Sequence, residues 1–521
     1  MTVAEAMEIA TTHHREGRLA EAEEIYRVVL AQMPENAHAL HYLGLIRISR
    51  GNKEEGLKLI RQSVEMNPSV GLFHMNLAGA LLDAGDVHGA EQSAREGIAK
   101  GAQGAQPHIN LGQALWRQAR FEEGLAAMQK AEELEPQRPD VQSFLGVYYT
   151  SLRRYDEAFA ALGRAIEIDP NRAFHHANLG AALYATHQLD ESVVEYRKAI
   201  ALQPDRPEFH ADMALPMLVG GNWTEGFREY EWRLKVPHIV ALPRHYPQPQ
   251  WDGSPIQGKT VFLYPEQGFG DAILFCRFAP MLRERGARVI LEVRQELYNL
   301  VKSLKGIDQL ISRGTDVPSF DFHSALLSLP MHFKTTPENV PAQGPYLSAD
   351  AARIERWRAE VVSVESEAKL RVGLVWGGSK TARHDPQRSL PLEGFAPLAH
   401  VPGIRWYSLQ VGEDAQQLAQ PPQGMQIVDL GRKIRDFADS AAAMAALDLV
   451  ICVDTSAAHV AGATGRPVWM LEPYLPYWPW GIEGETTPWY PTMRIFRQPA
   501  LDNWDGVLER VAEALRERLA H

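Results

Sequence analysis

The sequence predicts a stacked helical solenoid followed by a two-lobed α/β unit, and three observations support this division. In the first two-fifths of the chain a proline recurs every 34 residues, and a small residue and a leucine–small pair recur at the same period. The period is lost after about residue 237. From residue 259, short β-branched runs alternate with helical segments, which is typical of parallel sheets with crossover helices. The prolines are Pro34, Pro68, Pro136, Pro170 and Pro204, and the small residues are Ala22, Gly56, Ala90, Gly124, Ala158, Ser192 and Gly226.

The 34-residue unit resembles the tetratricopeptide repeat. Small residues such as Gly44, after each leucine, let the two helices of a hairpin approach closely, and the proline ends the second helix because it lacks an N–H group. Six units cover residues 3–206, and a degenerate seventh completes a solenoid over residues 1–237. Aromatic residues cluster in that last unit, which predicts that it docks on its neighbour. These residues are Trp223, Phe227, Tyr230 and Trp232.

Composition limits the function classes that need to be considered. The 521 residues carry a net charge of −12, which argues against broad nucleic-acid binding. The two cysteines, Cys276 and Cys452, lie in apolar stretches and are expected to be buried thiols of a reducing compartment. Because the chain starts without a signal-peptide pattern and has no long apolar run, we expect a cytoplasmic protein with no transmembrane segment.

The α/β region divides into a linker and two Rossmann-like lobes. We expect a proline-rich linker at 238–258, a first lobe at 259–350 and a second at 369–521. Each lobe starts with a strand followed by a glycine-containing turn. In the first lobe Gly268 and Gly270 precede a helix expected to open at Asp271, and in the second Gly377 and Gly378 begin a long polar loop. Such turns bind anions beyond the ends of parallel strands, although glycine is also a common turn residue.

The segment DLVICVDTSAAHVAGATGRPVWMLEP is more specific. A buried strand is expected to deliver Asp454, Thr455 and Ser456 to the start of a helix that carries His459. Hydroxyl and free N–H groups at a helix start form a pocket for a diphosphate or ribose. Two alternatives stay open: the Asp-Thr-Ser run is an N-cap, and His459 is a core histidine.

This arrangement resembles the ADP-heptose–lipopolysaccharide heptosyltransferases and their repeat-bearing relatives, which are glycosyltransferases of the GT-B fold. Residues 448–471 fit the family pattern, Gly270-Asp271 matches its early Gly-Asp, and the resemblance spans roughly residues 259–520. Glu472-Pro473 departs from it, standing where the family has glycine. The resemblance implies an inverting transfer from a nucleotide-diphosphate sugar in the second lobe, with Asp271 as the base that deprotonates the acceptor. The alternative for Asp271 is a helix-start charge.

Further residues are candidates for the remaining roles. Lys380, Arg383 and Arg388 are candidate cations for the leaving diphosphate, with solvated surface charge as the alternative for each, and Arg388 is favoured. A slot for the base and ribose is expected at Trp376, Gln410 and Asp439, and Glu266 is the substitute if Asp271 is not the base. The chain has no Asp-x-Asp, the usual metal–diphosphate bridge of the other major transferase fold, so we expect neither a metal nor another cofactor.

The expected partners are a nucleotide sugar and an acceptor, one candidate being a protein or peptide in the repeat groove. Two other functions stay open: a repeat scaffold whose lobes are inactive, and protein glycosylation of the O-linked N-acetylglucosamine transferase type. Adjacent helical residues point about 100° apart, so His13-His14 and His175-His176 are expected to be surface or groove residues and not metal ligands.

Overall fold

The computed structural model describes residues 1–236, 239, 244, 246–342, 344–362, 368–378 and 388–520. Contacts divide the chain into two compact units, Met1–Pro204 and Asp205–His521. The first unit contains six helical hairpins, as the repeat period predicts. Their first helices are Val3–Arg15, Ala37–Ser49, Gly71–Ala84, Gln106–Arg117, Pro139–Ser151 and Ala173–Ala185. Their second helices are Leu19–Gln32, Lys53–Met66, Val87–Ala99, Phe121–Leu134, Tyr155–Ile168 and Leu189–Leu202.

The periodic residues have the predicted roles. Each periodic proline lies two residues beyond the end of a second helix, so none is inside one. A Cβ built on Gly44 would lie 2.9 Å from the carbonyl oxygen of Gly56, and one on Gly56 would lie 2.7 Å from that of Gly44. The two helices of this hairpin therefore touch backbone to backbone, which only small residues permit.

The histidine pair His175-His176 corrects the expectation of surface or groove residues, because both side chains are buried. His176 contacts the Glu195 carboxylate through Nδ1 at 2.7 Å and the Pro170 carbonyl oxygen through Nε2 at 3.0 Å. The equivalent residue His74 contacts the Pro68 carbonyl at 2.9 Å. These histidines bind the chain end of the preceding hairpin, which is a structural role.

The second unit begins with the seventh hairpin, Pro207–Val219 and Trp223–Tyr230, and a 3₁₀ turn at Glu231–Lys235. Its aromatic residues dock as predicted. Trp223 stacks on Trp489 with ring centroids 5.2 Å apart, and Phe227 meets Trp478 edge-on at 5.3 Å. Residues 237, 238, 240–243 and 245, at the start of the predicted linker, lie outside the described part of the chain. Farther along that stretch Trp251 is buried and its N–H donates to the His323 carbonyl at 2.8 Å.

Two parallel sheets form the α/β region, in agreement with the predicted fold class. The first has the strand order β3-β2-β1-β4 and the second has the order β10-β9-β8-β5-β6-β7. The strands are β1 Thr260–Tyr264, β2 Arg288–Val293, β3 Gln309–Ser312, β4 Phe322–Ala325, β5 Leu370–Val375, β6 Ile404–Ser408, β7 Ile427–Asp429, β8 Leu449–Val453, β9 Val468–Glu472 and β10 Met493–Arg497. The helices among them are Phe269–Phe275, Ala279–Glu284, Gln295–Val301, Leu329–His332, Ala351–Val362, Phe437–Ala445, Ser456–Ala463 and Trp504–Ala520. The segment expected to be an α-helix at Leu392–Ala399 is instead 3₁₀, at Leu392–His400.

Both cysteines are buried and free, as expected from their apolar surroundings. Cys276 follows the helix Phe269–Phe275, and Cys452 lies within β8. Burial raises the pKa of the Cys276 thiol to about 12, so the group is a neutral core residue at physiological pH.

Candidate functional site

Strand order identifies where each sheet offers a binding crevice. In the first sheet the chain runs from β1 outward to β2 and β3 and then returns to add β4 on the other side of β1. In the second it runs from β5 to β6 and β7 and returns to β8 beside β5. Ligands of open α/β sheets bind at such reversal points, beyond the carboxyl ends of the strands. The loops after β1, β5 and β8 carry Asp271, Gly377 and Asp454–Ser456, so these predicted residues follow strands that flank the reversals.

Asp271 lies at the start of the helix Phe269–Phe275, as its third residue. The helix therefore opens two residues earlier than expected. Oδ2 of Asp271 accepts a hydrogen bond from the Gly268 N–H at 2.9 Å, and Oδ1 accepts one from the hydroxyl of Tyr477. The side chain is half-buried, and burial raises its pKa while these hydrogen bonds and the charge of Arg388 oppose the rise. The helix-start role and a position between the lobes thus occur together.

Gly270 brings the two lobes into contact at this place. A Cβ on Gly270 would lie 2.7 Å from Cδ2 and 2.9 Å from Nε2 of His459. Only glycine permits this approach between the first-lobe turn and the second-lobe helix. The Gly-Asp turn and the Asp-Thr-Ser…His block, far apart in the sequence, therefore form one site.

His459 is buried and hydrogen-bonded, as the core-histidine alternative predicts. Its Nδ1 lies 3.1 Å from the hydroxyl of Tyr490, and its ring centroid lies 5.2 Å from that of Trp480. Burial, reinforced by the charges of Arg277 and Arg388, lowers the pKa of His459 to about 3. The imidazole is therefore neutral. Its contact with a nucleotide stays a prediction.

Asp454, Thr455 and Ser456 lie at the carboxyl end of β8, where the sequence places them. Thr455 caps the helix Ser456–Ala463 and its Oγ1 accepts a hydrogen bond from the Ala457 N–H at 3.3 Å, so the N-cap interpretation holds for this residue. Asp454 is buried and its Oδ1 accepts from the indole N–H of Trp480 at 3.1 Å. Burial raises the pKa of Asp454, and the charge of Arg388 opposes that rise.

Arg388 lies among the acidic groups of the site. Its charge lowers the pKa of three carboxyl groups, those of Asp271, Asp454 and Glu472, against the effect of burial. A single guanidinium thus influences both lobes' acidic side chains. The other two candidate cations, Lys380 and Arg383, lie outside the described residues.

The expected base-and-ribose slot is corrected by the structure. Trp376 is fully buried in the core of the second lobe and offers no face to a ligand. Gln410 is buried too, and its Oε1 accepts from the N–H groups of Trp376 and Gly377 at 3.0 and 2.9 Å. Asp439 forms ion pairs with Arg353 and Arg356 at 2.8 and 2.7 Å. These side chains hold loops in place and do not line an open slot.

The sequence reasoning missed the segment 473–480, whose aromatic and proline-rich sequence PYLPYWPW was its signal. It follows β9 and supplies Tyr477 to Asp271 and Trp480 to Asp454. The Tyr477 N–H in turn donates to Oε1 of Glu472 at 3.1 Å. One segment therefore connects three carboxyl groups.

Glu472 is fully buried, and burial raises its pKa well above the usual range. Its Oε2 has no hydrogen-bond partner among the described residues. Arg497, the nearest cation by charge effect besides Arg388, spends its N–H groups on the carbonyls of Trp480, Gly481 and Gly484. We conclude that Glu472 is a neutral carboxylic acid in the folded protein.

Glu266, the substitute base, is occupied elsewhere. Its Oε1 accepts from Nη2 of the buried Arg233 at 2.7 Å. Burial raises its pKa, and the charge of Arg233 opposes the rise. This side chain is part of an internal ion pair.

Searches for metal and membrane features cover the described residues alone. In that part of the chain, no three His, Cys, Asp or Glu side chains are grouped so as to hold a metal ion. Within the same residues, no helix has the length and apolar character needed to cross a bilayer.

Comparison with known proteins identifies the repeats. Residues 43–105 and 109–173 match the tetratricopeptide repeat family model. Protein FlbA of Caulobacter vibrioides is 28% identical over 330 residues, which cover 58% of this chain and 54% of FlbA. The chain thus spans about half the length of this curated relative.

Solved structures similar to this chain include three repeat proteins. The Cut9–Hcn1 hetero-tetramer of the APC/C matches with 13% identity and a TM-score of 0.38, over 42% of this chain and 43% of that one. YrrB, described as a TPR protein with an unusual peptide-binding site, matches with 18% identity and a TM-score of 0.29, over 35% and 93%. PilF of Pseudomonas aeruginosa matches with 20% identity and a TM-score of 0.32, over 39% and 91%.

Proposed function

We propose that the α/β unit is an inverting, metal-independent glycosyltransferase of the GT-B type, similar to the heptosyltransferases. The observation that carries the proposal is the meeting of Asp271 from the first lobe with Asp454, Thr455 and His459 from the second. These are the positions that the resemblance assigns to the base and to the donor. Both motifs on which that resemblance rests are intact and lie in one site.

In the proposed reaction Asp271 takes the proton of an acceptor hydroxyl while that oxygen attacks the anomeric carbon of the donor sugar. The new carbon–oxygen bond forms as the bond to the nucleoside diphosphate breaks on the opposite face. Desolvation raises the pKa of Asp271, which makes it a stronger base than an exposed aspartate. Its position beside the second lobe puts it within the region where acceptor and donor would meet.

The departing diphosphate requires positive charge and hydrogen-bond donors. Arg388 supplies charge near the carboxyl ends of β5 and β8, and the start of the helix Ser456–Ala463 supplies N–H groups. Lys380 and Arg383 are proposed to assist. His459 is neutral and so contributes shape and a hydrogen-bonding ring rather than charge.

The repeats are proposed to recruit the acceptor, with a protein or peptide as the favoured class. Tetratricopeptide repeats form extended concave surfaces that suit such partners. An inactive scaffold and a protein glycosylation of the O-linked N-acetylglucosamine transferase type are the competing functions. The experiment below separates the first of these from an enzyme.

Calorimetric titration of the full chain with a panel of nucleoside diphosphates and their sugars tests the donor site. We expect one nucleotide to bind, and Arg388→Ala to weaken its affinity by roughly 10- to 100-fold through the loss of a charge-assisted contact to phosphate. The matched control is Arg516→Ala, since Arg516 is an exposed arginine of the closing helix. Binding of no nucleotide supports the inactive scaffold, and equal affinities in the two variants contradict the assigned diphosphate position.

A further inference from the structure

Arg233, from the 3₁₀ turn that follows the seventh hairpin, lies at the reversal point of the first sheet. Its side chain is fully buried. Nη2 donates to Oε1 of Glu266 in the loop after β1 at 2.7 Å, and to Oγ of Ser328 in the loop after β4 at 3.0 Å. The guanidinium therefore occupies the crevice in which an open α/β sheet would receive a ligand.

The other side of the guanidinium is bound as firmly. Nη1 donates to the Tyr230 carbonyl at 3.0 Å and to Oε1 of Glu231 at 2.7 Å. The Ser328 hydroxyl donates to Oε2 of Glu231 at 2.9 Å, which closes the network. A planar fork with several donors suits this geometry, whereas a lysine ammonium cannot reproduce it.

Tyr230 provides a second connection between the hairpin and the same loop. Its hydroxyl accepts a hydrogen bond from Nε2 of Gln267 at 3.0 Å. Two consecutive loop residues, Glu266 and Gln267, are thus held by the hairpin. The next residues are Gly268, Phe269, Gly270 and Asp271.

We propose that the seventh hairpin is a working part of the α/β unit, and that Arg233 and Tyr230 are positioning residues for the turn Glu266–Asp271. A turn with two glycines has many accessible conformations, so contacts from outside are needed to select one. The inference rests on the proposed function only in the role given to Asp271. It distinguishes this hairpin from the six of the first unit, whose role is recruitment.

Hydrogen–deuterium exchange on the full-length chain tests the positioning directly. The amides of Gly268 and Ala272 are hydrogen-bonded to the Asp271 carboxylate and the Gly268 carbonyl. We expect Tyr230→Phe to speed their exchange roughly 2- to 10-fold, the effect of losing one hydrogen bond that holds the turn. Arg233→Lys, which keeps the charge and loses the fork, is expected to have a larger effect at the same amides.

The control is Tyr148→Phe, because the Tyr148 hydroxyl is also buried and donates to a backbone carbonyl, that of Gly112, in the repeat unit. It should leave Gly268 and Ala272 unchanged. Unchanged exchange at these two amides in both Tyr230→Phe and Arg233→Lys would overturn the inference. So would an equal acceleration throughout the α/β unit, which would show a general loss of stability.

Turnover of the nucleotide sugar found in the titration supplies the second readout. We expect Tyr230→Phe to lower kcat severalfold with the donor KM unchanged, because the base and not the donor site is displaced. Reduced donor affinity with unchanged kcat would contradict the positioning role. If no nucleotide sugar is turned over, the proposed function fails, while the exchange measurement still decides whether the hairpin holds the turn.

Discussion

The hydroxyl of Tyr477 donates a hydrogen bond to the carboxylate of Asp271, across 206 residues of sequence and between the two lobes. The contact stabilises the ionised carboxylate and so counteracts the effect of burial on its pKa. Tyr477 is placed by Glu472, which accepts from its backbone N–H. The basicity of the proposed catalytic group is therefore set by the second lobe.

Replacing Tyr477 by Phe removes this hydrogen bond and should raise the pKa of Asp271. The base is then protonated up to a higher pH, so the acidic limb of the pH–rate profile should move to higher pH. Initial rates of nucleotide-sugar turnover, measured from about pH 4.5 to 9, provide the test. An unmoved acidic limb would show that Asp271 is not the group that titrates in catalysis.

Glu472→Gln should change the pH dependence of stability. The folded protein keeps Glu472 neutral, whereas the unfolded chain ionises it above its ordinary pKa of 4.5. Wild-type stability therefore contains a contribution that is complete below pH 4.5 and is lost as pH rises toward the raised pKa of the folded state. Because glutamine cannot ionise, the variant should gain stability relative to wild type as pH rises, measured by thermal unfolding. A relative loss would mean that Glu472 is ionised and paired with Arg497.

Gly270→Ala should destabilise the α/β unit by roughly 1–3 kcal/mol, because its methyl group would overlap the held ring of His459. Gly163→Ala is the matched control, since Gly163 also lies within a helix and an added Cβ there meets nothing within 4 Å. The control should stabilise by about 0.5–1 kcal/mol. Calorimetric unfolding measures both, and an equal response of the two variants would contradict the interlobe contact.

The hairpin turns of the repeats predict a stabilising change. Gly17, Gly51 and Gly85 adopt positive φ at 34-residue spacing, and Ala119 holds the equivalent position with φ of 57°. Replacing Ala119 by Gly should stabilise the first unit by up to about 1 kcal/mol, because glycine has no Cβ penalty in this region. Gly85→Ala should destabilise it. Thermal unfolding checks both directions, and a loss of stability in Ala119→Gly would contradict the assigned turn.

Chelation should not affect turnover under the proposed mechanism. The diphosphate charge is assigned to Arg388 and to helix N–H groups, and the sequence has no Asp-x-Asp to bridge a metal. Initial rates before and after dialysis against EDTA should agree. Loss of activity that is restored by a divalent cation would require a different treatment of the leaving group.

The repeats were predictable because their signal is local and recurs. Three residue series at one period located each hairpin, and helix ends follow from proline chemistry. The left-handed turn series escaped notice because its later members, such as Ala119 and Arg153, are not glycine. Three strands were also missed: β3 has only four residues and polar ends, β4 reads FHSA without a β-branched residue, and β10 lies within a segment interpreted as a tail.

The site was predictable where its residues follow strands. The pattern located Asp271 and Asp454–Ser456 because strand ends deliver them, but strand order, and hence the reversal points, is a tertiary property. Tyr477 could not be paired with Asp271 from the sequence, since nothing local connects them. Trp376 was misjudged because a tryptophan just after a strand can pack into the core as readily as it can face a ligand.

The most direct measurement of the central claim compares Asp271→Asn with wild type in donor turnover and donor binding. The substitution keeps the shape of the side chain and removes the base. We expect turnover to fall by about 10²–10⁴-fold while nucleotide-sugar affinity changes little. The control is Asp505→Asn, because Asp505 is an exposed aspartate in the first turn of the helix Trp504–Ala520, and it should turn over normally. Normal turnover by Asp271→Asn would contradict the account.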